Sequence, residues 1–188
     1  MKWAEGPSRP FSSVVAMDYV RAARERVVVY DGSMGVALLN AGLSVDDYGG
    51  PQFEGCPDIL NVTRPDVVAD LHRQYLEVGV DAIETNAFGA FAVPLGEYGI
   101  PERAYEIARA GAEIAREVAS GYATPDRPRW VAGNLGPGTK MPSLGHIRFA
   151  DLRDAYEEEA RGLLDGGVDL LLVETMYDPL AAKAALVG

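Results

Sequence analysis

Three acidic side chains each follow a short apolar run: Asp31 after Val27-Val28-Val29-Tyr30, Glu84 after Ala82-Ile83, and Glu174 after Leu170-Leu171-Leu172-Val173. The amide Asn134 follows Trp130-Val131-Ala132-Gly133 in the same way. Buried carboxylates without partners are costly, so several gathered in one place call for a cation: a metal, a substrate ammonium, or protons to move. Any one of these acids could simply cap a helix; three in register weaken that explanation. Two glycine turns supply the opposite polarity. Asp31-Gly32-Ser33-Met34-Gly35 and Gly136-Pro137-Gly138-Thr139 can each present free backbone N–H groups to a carboxylate. Carboxylates for an ammonium and N–H groups for a carboxylate outline a zwitterion site, which points to an amino-acid substrate.

Other reactive residue types are scarce. The chain has one cysteine and two histidines, too few for a four-ligand soft-metal site without carboxylate help. Cys56, in Phe53-Glu54-Gly55-Cys56-Pro57-Asp58, has no histidine nearby to activate it and reads as an inert thiol. His72 follows Leu71 on a predicted helix and reads as a surface histidine. His146, in Leu144-Gly145-His146-Ile147, falls on a loop near the predicted site. Trp130 reads as a packing residue.

The elements that must position these side chains alternate along the chain. Residues 1–16 read as a loose extension, and Met17 opens a short helical stretch. Val27–Tyr30 is β-branched and apolar, the pattern of a strand buried on both faces in a parallel sheet. A helix opens at Thr63-Arg64-Pro65-Asp66, with Val68, Leu71, Tyr75 and Val78 on its apolar face, and stops at Gly79. Residues 81–86 form the next strand and its exit. A helix over about 101–119 and the strand Trp130–Leu135 follow, then a helix over about 149–165 with Leu152, Tyr156, Leu163 and Leu164 inward. The fourth strand is 170–173, and a last helix begins near Pro179.

Gly79-Val80-Asp81 before Ile83-Glu84-Thr85 recurs as Gly167-Val168-Asp169 before Val173-Glu174-Thr175, the mark of repeated βα units. Such units build a doubly wound sheet or a (β/α)8 barrel. No G-x-G-x-x-G or P-loop follows a strand, and the acids fall at the C-terminal ends of different strands, where barrels place their chemistry. The expected architecture is therefore α/β of the (β/α)8 TIM-barrel type. Only about the first four βα units are present, since a whole barrel typically takes ~250 residues. The four strands are expected to pair in parallel and in chain order, with Asp31, Glu84, Asn134 and Glu174 on one rim.

Composition excludes other classes. The 188 residues are 48% hydrophobic and 24% charged, a folded rather than a disordered balance. A net charge of −11, with no basic run, disfavours nucleic acid as a partner. No apolar stretch approaches the ~18–20 residues of a membrane span, and no signal peptide is legible. A single cysteine suits a reducing compartment, so a cytoplasmic location is expected.

Several of these stretches together resemble the homocysteine S-methyltransferase family. They are Asp31-Gly32-Ser33-Met34-Gly35, Gly55-Cys56-Pro57-Asp58-Ile59-Leu60-Asn61-Val62-Thr63-Arg64-Pro65, and Glu84-Thr85-Asn86-Ala87-Phe88. Gly133-Asn134-Leu135-Gly136-Pro137, Leu144-Gly145-His146-Ile147 and Val173-Glu174-Thr175 with Asp178 resemble, within that family, the N-terminal homocysteine-binding module of cobalamin-dependent methionine synthases. The resemblance covers about residues 17–188 and marks them as the N-terminal half of a homocysteine-binding barrel. It implies that homocysteine binds at the barrel mouth on a zinc ion, which makes its thiol a nucleophilic thiolate. The methyl group would come from methylcobalamin recharged by methyltetrahydrofolate on other modules, giving methionine. Relatives using betaine or S-methylmethionine as donor, and a non-catalytic half-barrel, are the alternatives.

By the same resemblance, Asp31 and Glu174 face the substrate ammonium, Glu84, Thr85, Asn86 and Asn134 line the pocket, and Gly32, Ser33 and Gly136 shape its backbone. The expected partners are homocysteine, the remaining barrel half, and folate and cobalamin modules of a parent protein. The family's zinc-binding cysteine motifs are missing here, and Cys56 belongs to a different motif. No residue of this chain is therefore assigned a catalytic or metal-ligand role, and the chain alone is expected to be inactive.

Overall fold

A computed structural model describes residues 13–188. Its helices are α1 (Ser13–Glu25), α2 (Met34–Leu39), α3 (Leu60–Thr63), α4 (Pro65–Val78), α5 (Ala92–Leu95), α6 (Ala104–Tyr122), α7 (Phe149–Asp165) and α8 (Pro179–Val187). The strands β1 (Ala82–Glu84), β2 (Trp130–Leu135) and β3 (Leu170–Val173) form one parallel sheet in chain order. Ala82 pairs with Trp130, and Asn134 pairs with Leu172. Among the expected elements, residues 1–12 lie outside the described part, and α1 starts four residues before Met17.

The expected first strand is corrected. Val27–Tyr30 runs beside β1 but meets it only at a parallel bridge between Tyr30 and Ala82. Carboxylates take the ladder N–H groups on both sides of this bridge: Asp31 accepts that of Glu84 at 3.1 Å on one side, and on the other stands Asp81. Its carboxylate accepts the Val29 N–H at 3.0 Å and a fork of two hydrogen bonds from Arg26, at 2.8 and 3.0 Å, replacing part of the ladder. This segment is not buried on both faces either: Val27 is 80% exposed and Val29 51%. The internal repeat carries the same device. Asp169 accepts the Val131 N–H at 2.7 Å and pairs with Arg116, so each Gly-Val-Asp copy ties its own strand to the preceding one.

The helices cover one face of the sheet. Ile83, Val131 and Leu135 point toward α4, α6 and α7, while Tyr30, Ala82, Glu84, Trp130, Ala132 and Asn134 share the other face by register. α6 and α7 approach to backbone distance. A Cβ at Gly162 would stand 2.7 Å from the Tyr105 carbonyl oxygen, so only glycine fits there. On the inner face, the Tyr19 ring meets the Trp130 ring edge-on at 5.6 Å, and the Tyr19 and Tyr30 hydroxyls are 2.8 Å apart. α1 thus closes the end of the sheet opposite the carboxylates.

Two helix faces differ from the sequence expectation. On α4 the buried residues are Val68, His72 and Leu76, whereas Val78 is 80% exposed. Leu71 and Tyr75 are only partly buried. His72 is therefore a fully buried histidine, not a surface one. Its place four residues after Val68 and four before Leu76 puts it on the buried stripe. On α7, Leu152, Tyr156 and Leu163 are buried as expected, but Leu164 is 40% exposed. Among the described residues no helix is long and apolar enough to cross a membrane.

Candidate functional site

Parallel register brings the acidic side chains to one rim. Glu84 ends β1 and lies opposite Ala132; Asn134, two residues on, pairs with Leu172, and Glu174 follows β3 two residues after that. Asp31 leaves the bridge at Tyr30. Its N–H donates to the Ala82 carbonyl at 3.1 Å, and its two carboxylate oxygens both accept the Glu84 N–H, at 3.1 Å each. The Asn134 amide donates to Glu174 Oε1 at 3.0 Å. Thr175, next to Glu174, is held at a φ of 54°, a left-handed conformation rare for a β-branched residue.

The charges of this cluster work against one another. Burial raises the Asp31 carboxyl to about 7; the Glu84 N–H opposes that rise, and the neighbouring Glu84 and Glu174 carboxylates add to it. Burial likewise raises Glu84 to about 7, helped by the charge of Glu174 and a hydrogen bond with it. Near neutral pH Asp31 and Glu84 are therefore each partly protonated. A cation with N–H donors, such as a substrate ammonium, would replace those protons.

The expected pocket residues do not all reach the rim. Thr85 is fully buried and bonded to Asn134: its hydroxyl donates to Oδ1 at 3.0 Å and accepts the backbone N–H at 3.2 Å. Asn86 turns into the helical layer, donating to the Pro57 carbonyl at 2.9 Å and to Asn61 Oδ1 at 3.0 Å. It links loops rather than facing the carboxylates. Ser33 caps α2 by accepting the Val36 N–H at 3.3 Å, and Gly32 packs beside the Tyr75 hydroxyl. Gly136 is buried with its carbonyl accepting the Tyr156 hydroxyl at 2.6 Å. A Cβ there would stand 2.3 Å from the Phe88 carbonyl oxygen, so the two rim loops touch main chain to main chain.

Other sequence candidates have structural places. Asp178 caps α8 through the Leu180 N–H at 2.9 Å and holds the Ser143 N–H at 3.0 Å. His146 is exposed and accepts the Met141 N–H within its own loop at 3.4 Å. Cys56 is buried, and burial with the nearby Asp58 charge pushes its thiol up to about 11, which keeps it protonated and unreactive. Among the described residues no three His, Cys, Asp or Glu side chains group as a metal-holding set. The described residues do not fit a zinc centre.

Two buried acids were not singled out from sequence. Asp58 accepts the Gly89 N–H at 3.0 Å, and burial raises it to about 6. Glu159 on α7 is fully buried with neither oxygen bonded among the described residues, and burial beside Asp58 raises it strongly. A signal existed for Glu159: it falls three residues after Tyr156 and four before Leu163, on the inward stripe.

The sequence model of the family described as homocysteine S-methyltransferase matches residues 28–188. The chain is 50% identical over 171 residues to methionine synthase of Mycobacterium tuberculosis (strain ATCC 25618 / H37Rv), covering 91% of this chain. It is 48% identical over 171 residues to methionine synthase of Mycobacterium leprae (strain TN), again covering 91% of this chain. The chain spans 14% of the length of each of these relatives. Among solved structures, the homocysteine methyltransferase MmuM from Escherichia coli superposes with a TM-score of 0.71 at 21% identity, in its oxidized and metallated forms. The match covers 88% of this chain and 59% or 60% of that one, and it shows a shared fold. The chain belongs to the homocysteine S-methyltransferase family.

Proposed function

We propose that residues 17–188 form the N-terminal half of a (β/α)8 barrel whose mouth binds the amino-acid end of homocysteine. The parent enzyme would move a methyl group to the homocysteine thiol, giving methionine. The observation that carries this reading is the convergence of Asp31, Glu84, Asn134 and Glu174 on one rim of a parallel sheet. Asp31 and Glu174 accept hydrogen bonds from the substrate ammonium. Glu84 stands between them and gives up its proton as the cation arrives. Thr85 and Asn86 hold the surrounding backbone, and Gly32, Ser33 and Gly136 shape the loops.

In the parent enzyme, zinc would hold the thiol and methylcobalamin, recharged from methyltetrahydrofolate, would supply the methyl group. The residues described do not fit the zinc, and no step through it is assigned to them. The methylcobalamin reading rests on the resemblance to cobalamin-dependent methionine synthases and is supported by 50% identity to a methionine synthase over 91% of this chain, with a betaine or S-methylmethionine donor as the alternative. The remaining barrel half and the folate and cobalamin modules are the expected partners, in a cytoplasmic setting.

The test uses the full-length parent polypeptide, assayed for methyl transfer from methylcobalamin to homocysteine. Asp31→Asn and Glu174→Gln each remove one charged hydrogen bond to the ammonium, worth about 1.5–3 kcal/mol, so kcat/KM should fall about 10–100-fold. Unchanged kcat/KM in both variants would overturn the assignment. Absence of any transfer by the wild-type polypeptide would favour the non-catalytic half-barrel.

A further inference from the structure

We propose that Thr85 is a positioning residue. Its buried hydroxyl fixes which end of the Asn134 amide faces Glu174, and so presents a Glu174 carboxylate oxygen to the substrate ammonium. This rests on the homocysteine-binding reading above. The argument is a count of donors and acceptors. The Thr85 hydroxyl has one proton to give and accepts the Asn134 backbone N–H at 3.2 Å. Its own proton must then go to an acceptor, and it goes to Asn134 Oδ1 at 3.0 Å. Oδ1 is thereby committed to Thr85, which leaves Nδ2 facing the other way. Nδ2 donates to Glu174 Oε1 at 3.0 Å. The reverse orientation would set the NH2 group against the hydroxyl and Oδ1 against the Glu174 carboxylate, two acceptors face to face.

The relay is rigid because its first members are inaccessible. Thr85 is fully buried and Asn134 nearly so, which keeps both away from bulk solvent. The Thr85 backbone N–H also donates to the Ala132 carbonyl at 2.9 Å, which pins the hydroxyl in register with β2. Oε1 of Glu174 is thus held by the amide, while Oε2 takes only a long bond from the Thr175 hydroxyl at 3.4 Å, and the neighbouring Glu84 carboxyl hydrogen-bonds the same group, in the place a ligand ammonium would take. The side chain that meets the ammonium is oriented by one that never touches it.

The experiment titrates the 188-residue chain with homocysteine and with 4-sulfanylbutanoate, which keeps the thiol and carboxylate but lacks the amine. Thr85→Ser keeps the hydroxyl; Thr85→Val keeps the shape and removes it; Thr85→Ala removes it with less volume and serves if the valine variant does not fold. Homocysteine affinity should stay within about 2-fold in Thr85→Ser and fall roughly 3–10-fold without the hydroxyl, as expected for one lost buried hydrogen bond. Affinity for the amine-free ligand should not change. Equal homocysteine binding by the serine and valine variants would overturn the role, as would an equal loss for both ligands.

A ligand-free readout separates this inference from the one it rests on. The Asn134 side-chain amide proton bonded to Glu174 should keep its downfield NMR position in Thr85→Ser and lose it in Thr85→Val. An unchanged resonance in Thr85→Val would overturn the positioning role. If the wild-type chain shows no preference for homocysteine over the amine-free ligand, the substrate reading falls, and the amide resonance still decides the role of Thr85.

Discussion

The backbone N–H of Glu84 stands 3.1 Å from each carboxylate oxygen of Asp31, so the two acidic residues nearest the rim are joined through main chain rather than through a base. That bond favours a charged Asp31, yet burial and the neighbouring acids prevail and hold it at about 7. An acid whose folded pKa is raised binds more protons folded than unfolded between about pH 4 and 7. Its contribution to stability is therefore present below the unfolded value and lost as pH rises through the folded one. The unfolding midpoint of the ligand-free chain should fall by roughly 3–6 °C between pH 5 and 8, the size of a 1–2 kcal/mol loss. Asp31→Asn should flatten this slope in thermal scans. A midpoint that rises over the same range would contradict the arrangement.

Filling the site should release those protons. At pH 7 the Asp31 and Glu84 carboxyls, both near 7, are each about half protonated, and an ammonium between them stabilises the charged forms. Calorimetric titration with homocysteine in two buffers of different ionisation enthalpy should show release of about half to one proton per ligand. Glu84→Gln should reduce the release. Binding with no proton release would mean that the ammonium lies elsewhere.

The sequence carried the rim more faithfully than the packing. Glu84, Asn134 and Glu174 each end an apolar run, and a parallel sheet in chain order brings such ends to the same rim. The fate of Thr85 and Asn86 was not legible, because a strand exit can turn inward or outward and only the tertiary partners, Asn134 and Asn61, decide it. Val27–Tyr30 misled for a related reason. Its β-branched pattern is that of a buried strand, but carboxylates took the N–H groups on both sides of its single bridge, Asp81 that of Val29 and Asp31 that of Glu84. Polar residues on apolar stripes, His72 and Glu159, were readable from spacing and were obscured by their residue type.

Gly136 offers a test of loop closure. A Cβ there would lie 2.3 Å from the Phe88 carbonyl oxygen and 3.0 Å from its ring. Gly136→Ala should destabilise the chain by about 1–3 kcal/mol, typical of overpacking, and should weaken homocysteine binding by separating the two rim loops. The principal clash is with main chain, so adding Phe88→Ala should not restore either property. Full rescue by Phe88→Ala in denaturant titration would show that the ring alone sets the contact.

His72 sets the opposite pH limb. It is fully buried on α4, neither ring nitrogen has a partner among the described residues, and burial lowers it to about 4. A base with a lowered folded pKa binds fewer protons folded than unfolded between about 4 and 6.5. Stability from this residue is therefore present above that window and lost as pH falls through it. Replacing the ring by an apolar side chain removes two unsatisfied polar atoms as well as the titration. His72→Leu should stabilise the chain at pH 7 by about 1 kcal/mol, since leaving a buried donor unpaired costs about 1–3 kcal/mol and some packing is lost in exchange. It should also flatten the rise of stability with pH below about 6.5, whereas Asp31→Asn, which removes an opposing slope over the overlapping window of about 4 to 7, should steepen that rise and flatten the fall toward pH 8. Urea titrations of both variants at pH 5, 7 and 8 separate the two effects. A His72→Leu chain less stable than wild type at pH 7, with its acid limb intact, would show that the imidazole is bonded in solution and that its burial is not the origin of the acid sensitivity.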